Sequence, residues 1–144
     1  MSHLAKFSPN ELMVARFDHW IVTVRGKQLT PGDLVVLPLA PYAHFDEVGT
    51  EAAVELINVL GKVEHAALGP LGADRVNVVA AMMKDPFIHF HFFPRFAEPT
   101  ENFGTTWVDE DWPRAITLRD TETSHDVLTA VKTFYVEHID GSGD

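Results

Sequence analysis

The stretch "PFIHFHFFPRF", residues 86–96, puts two imidazoles two positions apart in an otherwise apolar run. In an extended strand, residues two apart share a face. Phe87, His89, His91 and Phe93 then lie on one side, and Ile88, Phe90 and Phe92 lie on the other, which reads as core. The two histidines stand roughly 6–7 Å apart along such a strand. Four uses suit such a pair. As H-x-H on a strand it supplies two imidazole ligands for zinc, iron, copper or nickel. A third ligand must then come from elsewhere. One imidazole can instead be a nucleophile toward phosphorus, with its neighbour orienting it or binding oxygen. The pair can act in general acid–base catalysis. Or both rings are simply satisfied at a sheet edge or interface. The spacing alone leaves all four open.

Other residues carry weaker signals. Arg95, at the end of the histidine strand, is placed to reach a phosphate or carboxylate, or to pair with one of the many acids. His44 in "PYAHFDE" is either a residue at the mouth of a site or an exposed loop histidine. Met82 and Met83 read as packing residues rather than copper ligands. Ser124, His125 and Asp126 are adjacent, which suits a helix cap and its first turn rather than a nucleophilic triad.

The elements that must position these residues follow from the pattern. "HWIVTVRGKQLTPGDLVVLPL" reads as two strands around a turn, residues 20–25 and 34–37. Gly, Thr-Pro and Gly supply the turn chemistry. "DEVGTEAAVELINVLGKVEHAAL" reads as a helix with Thr50 as N-cap and an apolar face of Val54, Ile57, Val59, Leu60, Val63 and Ala67. "RVNVVAAMM" and "FIHFHFFPRF" read as two further strands, and a last helix starts near Ser124. Hairpin-like strands with separate helices predict an α+β fold, an antiparallel sheet with helices packed on it.

The chain has 144 residues, a length suited to one domain spanning 1–144. No cysteine is present, which excludes disulfides, thiolate metal sites and a Cys nucleophile. The formal net charge is −10, from 21 acids against 11 bases. Such a surface repels polyphosphate backbones and anionic lipid, so neither nucleic acid nor membrane is expected as a partner. A small anionic ligand in a local pocket remains compatible with it. With no leader-like opening and no long apolar run, a cytoplasmic protein is the simplest expectation.

"HFHFFPR", after a strand containing Asn77 and downstream of "TPGDLVVLPLAPYAHFDEV", resembles the histidine triad (HIT) superfamily, in a divergent bacterial form. The resemblance covers about residues 17 to 96, leaving 97–139 as a C-terminal extension and helix. It implies a HIT-like α+β fold, a homodimer, and a hydrolase or transferase acting at the phosphorus centre of a nucleotide-like small molecule. Register from Pro94 puts His91 on the last triad position and His89 on the middle one, the family's nucleophile. A phosphohistidine-type intermediate is implied, with His91 assisting and with no cofactor.

The sequence also departs from that pattern. Phe87 stands at the first triad position. Asp33 stands where the family has a histidine near the nucleotide, and Arg25 where it often has a ribose-binding Asn. An Arg25–Asp33 pair across the hairpin would offset a carboxylate that otherwise repels phosphate. Arg25, Asp33, Asn77 and Arg95 are thus the candidate substrate contacts. The departures suggest an altered substrate. Two alternatives stand beside this expectation. One is a metal-dependent enzyme, with a divalent transition metal on His89 and His91 completed by Asp33 or His44. The other is a non-catalytic nucleotide- or metabolite-binding protein.

Overall fold

The computed structural model describes residues 2–139. An N-terminal arm comes first, formed by a 3-10 turn at Ser2–Phe7 and the short helix α1 at Pro9–Leu12. Five strands follow in one antiparallel sheet: β1 Met13–Arg16, β2 Trp20–Val24, β3 Leu34–Pro38, β4 Arg75–Val79 and β5 Phe90–Arg95. Their order across the sheet is β1-β2-β3-β5-β4, so β5 is inserted between β3 and the edge strand β4. Helix α2, Thr50–Leu68, connects β3 to β4. A two-stranded hairpin, β6 Thr100–Asn102 and β7 Thr105–Trp107, and helix α3, His125–His138, complete the chain. This is the α+β antiparallel architecture that the pattern predicts.

Alternation along each strand sorts the side chains onto two faces. Trp20, Val22 and Val24 of β2, Leu34 and Val36 of β3, and Ile88 and Phe92 face the helices. There they pack with Val59, Val63, Ala66 and Ala67 of α2 and with Val131 and Tyr135 of α3. The opposite face carries Ile21, Val35, Leu37 and Phe87, covered by Leu4 of the N-terminal arm. That second face also carries His91, which sits in register between Val35 and Val79.

The turn from β2 to β3 is pinned to α3. Gly32 has φ +97°, a left-handed conformation that glycine adopts readily. A Cβ there would lie 2.8 Å from the Tyr135 hydroxyl and 2.9 Å from Leu71, so any other residue would be strained and would push those side chains aside. The Tyr135 hydroxyl donates to the Gly32 carbonyl at 2.7 Å.

Several expectations are corrected in detail. The N-cap of α2 is Gly49, and Thr50 is already helical. Val54 and Ile57 stand on solvent at 57% and 67% exposure, because the face that meets the core is made by Ala52, Val59, Val63, Ala66 and Ala67. The fourth strand stops at Val79, short of the two methionines, and β5 begins only at Phe90. Ser124 does cap α3, its hydroxyl accepting from the Val127 amide at 3.2 Å. Among the described residues no helix is long and apolar enough to cross a membrane.

Candidate active site

Two residues carry the polar chemistry of the arm-covered face, and their hydrogen bonds define their proton positions. His89 directly precedes β5 and is 3% exposed. Its Nδ1 lies 2.8 Å from the Phe87 carbonyl oxygen. A carbonyl only accepts, so Nδ1 carries a proton, and in the neutral ring Nε2 holds the free lone pair. His91 has the opposite arrangement. Arg25 Nε lies 3.3 Å from His91 Nδ1. A guanidinium only donates, so His91 Nδ1 accepts and its Nε2 carries the proton. The two rings stand edge to face with centroids 5.2 Å apart. One imidazole therefore offers a lone pair and its neighbour an N–H.

Burial, followed by the nearby Arg25 guanidinium and His89, pushes the His91 imidazole down to about 4, against a raising influence from Asp85. His91 is neutral at pH 7, as its acceptor role toward Arg25 requires. Arg25 follows β2 and also donates to the Lys27 carbonyl. Its guanidinium lies over the Phe93 ring, 5.4 Å from the centroid.

A cleft of about 580 Å³ opens beside the pair. His89, His91 and Arg25 line it, with Lys6 and Phe7 from the N-terminal arm, Lys27 from the β2–β3 turn, Lys84 and Asp85 from the loop before the histidines, and Leu118 from the C-terminal extension. Four cationic side chains and one carboxylate thus face one cleft of a chain whose net charge is −10. Lys6 and Asp85 pair across it at 2.9 Å. The arm and Leu118 carried no periodic signal in the sequence. The sequence places Lys84 and Asp85 shortly before the histidines, between two strand-like segments.

The other candidates lie elsewhere. Asp33 is fully buried, and its carboxylate turns into the β2–β3 turn rather than toward a ligand. It accepts from the amides of Leu29 at 2.6 Å and Thr30 at 2.9 Å, and from the Thr30 hydroxyl. Burial pushes its pKa up to about 7, opposed by those donors and by Arg25. The Arg25–Asp33 relation is one of charge and backbone: the Arg25 amide donates to the Asp33 carbonyl at 3.0 Å. Arg95 forms a bidentate pair with Asp109, at 2.6 and 2.9 Å, and both side chains are nearly inaccessible. Asn77 Oδ1 accepts from Arg95 at 2.7 Å and from the Ile116 amide at 3.0 Å. Asn77, Arg95 and Asp109 thus clamp the C-terminal extension onto β4 and β5.

A third metal ligand is not supplied by this arrangement. Asp33 is committed to its turn, and His44 is exposed in the loop after β3. The described residues hold no cluster of three or more His, Asp or Glu side chains able to hold a metal. Arg25 beside His91 adds a positive charge where a cation would sit.

No family model and no curated protein matches the sequence. Solved structures do. A histidine triad protein from Bradyrhizobium japonicum is 14% identical, with a TM-score of 0.72, covering 94% of this chain and 95% of that one. A histidine triad protein from Sinorhizobium meliloti is 13% identical, with a TM-score of 0.73 and coverage of 96% and 95%. A zinc-bound histidine triad family protein from Mycobacterium smegmatis is 15% identical, with a TM-score of 0.64 and coverage of 94% and 93%. The chain has the histidine triad fold. The Phe87 side chain lies in the apolar layer with Leu4 and Ile21, while its backbone carbonyl accepts from His89.

Proposed function

We propose that this chain is a hydrolase or transferase of the histidine triad type, acting at the phosphorus centre of a nucleotide-like small molecule with His89 as nucleophile. The observation that carries this is the hydrogen bond from His89 Nδ1 to the Phe87 carbonyl, which leaves Nε2 as a bare lone pair lining a cationic cleft. Such a nitrogen needs no base to activate it. Nε2 attacks phosphorus, the bond from phosphorus to the leaving group breaks, and the leaving group departs with the electron pair and takes a proton from solvent. The ring becomes a phosphorylated imidazolium, whose Nδ1–H still donates to the Phe87 carbonyl. The His91 Nε2–H and the Arg25 charge are available to phosphoryl oxygens as negative charge builds on them. Water or another hydroxyl acceptor then attacks phosphorus from the side opposite the P–N bond and gives its proton to solvent, and His89 leaves with its lone pair restored.

The test is a mass measurement under non-acidic quench after mixing the protein with nucleoside monophosphate derivatives that carry a good leaving group. Wild type is expected to gain the mass of the transferred group on His89. His89→Ala is expected to lose turnover by roughly 10³-fold or more, as removal of a covalent nucleophile does. Full activity in His89→Ala would sink the assignment.

A homodimer is part of the same proposal. Supporting it are the outer side of β4, which pairs with no strand among the described residues, with Val78 exposed at 44%, and the exposed Val54 and Ile57 of α2. Unpaired strand edges and exposed apolar side chains both favour association. Light scattering on the purified chain, with Ile57→Glu as the disrupting variant, checks it: wild type at twice the mass of the variant is expected.

A further inference from the structure

We infer that the organic part of the substrate is an aromatic or alkyl group without a vicinal diol, so that the site takes aryl- or alkyl-type phosphoryl compounds at least as well as ribonucleotides. This rests on the phosphorus-centred function proposed above and concerns what surrounds the phosphorus.

The lining of the cleft divides by chemistry. Arg25 and Lys84 with the two histidines, and Lys6 and Lys27, which pair with Asp85 and Asp120, suit the anionic group. The apolar part of the wall is made by Phe7, Leu12, Val24, Val35, Met83 and Leu118. Recognition of a sugar diol needs acceptors, usually a carboxylate or a side-chain amide, placed to take both hydroxyl protons. Among the described residues the one carboxylate on the cleft is Asp85, and both of its oxygens accept from Lys6, at 2.9 and 3.1 Å. Asp33 and Asn77, the other candidates by position in the sequence, are tied into the β2–β3 turn and to Arg95. Ser8 is the lone neutral hydroxyl on the lining. Sugar hydroxyls would therefore exchange water for a wall with no uncommitted carboxylate or side-chain amide to take both protons. An aryl or alkyl group would instead bury apolar surface against the same wall.

Discrimination by hydrogen bonding is large when a site is built for it and small when it is not. The experiment exploits that difference. Binding of inorganic phosphate, 1-naphthyl phosphate, AMP and 2′,3′-dideoxy-AMP to the full chain is measured by calorimetry, with the histidine resonances followed in parallel. Expected are equal affinities for AMP and its dideoxy form, within about threefold, and naphthyl phosphate binding about tenfold or more tighter than phosphate. Leu118→Ala, at a position 44% exposed and so tolerant of truncation, is expected to narrow the naphthyl-over-phosphate ratio. AMP binding tenfold tighter than dideoxy-AMP would overturn the inference while leaving the phosphorus chemistry intact. Absence of binding by every phosphate would overturn both. Naphthyl preference without any adduct on His89 would keep the inference and remove the nucleophile.

Discussion

Asp33 and His89 make an instructive pair. Both are polar, both are buried, and both belong to segments flanking β3 or β5 of one sheet. The carboxylate of Asp33 is held by three donors within its own turn, two amides and a hydroxyl. Gln28 completes that turn: its side-chain oxygen accepts from the amides of Gly32 at 3.0 Å and Asp33 at 2.9 Å, and its nitrogen donates to the carbonyls of Arg25 and Asp33. Among the described residues His89 makes a single hydrogen bond, through Nδ1. A buried group with every partner in place stabilises a fold. A buried group with one lone pair left over is a place where something else can bind or react. The difference separates an acid committed to the scaffold from an imidazole with a lone pair still to offer, though both are candidates for the same site in the sequence.

The comparison breaks most sharply on stability. Asp33→Ala strips three donors of their acceptor inside the protein, two of them buried amides, and is expected to cost about 3 kcal/mol or more. His89→Ala leaves one carbonyl without its donor and is expected to cost distinctly less. Urea unfolding of the two variants measures this, and equal losses would mean that Asp33 is less committed to its turn than its geometry implies.

A finer test lies in pH. Asp33 has a folded pKa raised from 3.8 to about 7, so its contribution to stability is present below the unfolded value and is lost as pH climbs from about 4 to 7. His91 has a folded pKa lowered from 6.5 to about 4, so its contribution is present above 6.5 and is lost as pH falls toward 4. The two slopes oppose each other in the same window. Wild type should show a comparatively flat stability between pH 4.5 and 6.5 as far as these two groups are concerned, in the range bounded by the cited values. Asp33→Asn is expected to make stability rise with pH there, and His91→Gln to make it fall. Denaturation midpoints across the window decide it, and parallel curves for the two variants would refute the assignment of either shift.

The smallest effect belongs to Thr23. Its hydroxyl is the one buried side-chain oxygen or nitrogen among the described residues without a hydrogen-bond partner. Replacement by Val removes an unsatisfied group at nearly constant shape, so Thr23→Val is expected to be neutral or stabilising by up to about 1 kcal/mol. A clear destabilisation would show that the hydroxyl has a partner in solution.

Much of the framework was legible in the order of residues. The β-branched run of β2, the apolar run of β3, the alternation through residues 87–93 and the Ser124 cap of α3 are local signals, set by a strand's period of two and a helix's need for a capping acceptor. The same locality explains the errors. Val54 and Ile57 fit an apolar helical face, yet which arc of α2 meets the sheet depends on where the sheet lies. Burial of Ala52, Ala66 and Ala67 shows a close approach that favours small side chains.

By itself, the sequence determined that His89 and His91 share a face, that no thiol chemistry is open to this chain, and that a sheet with separate helices would carry the pair. Those outcomes depend on residue type and short-range geometry. Tertiary structure alone decided the partners. Arg25 reaches His91 across 66 positions and sets its proton, Lys6 meets Asp85 across 79, and Lys27 pairs with Asp120 across 93. It also decided that Asp33 and Arg95 serve the scaffold. A charged side chain takes whichever partner satisfies it best at its final depth, and that choice exists only once the distant segments have met.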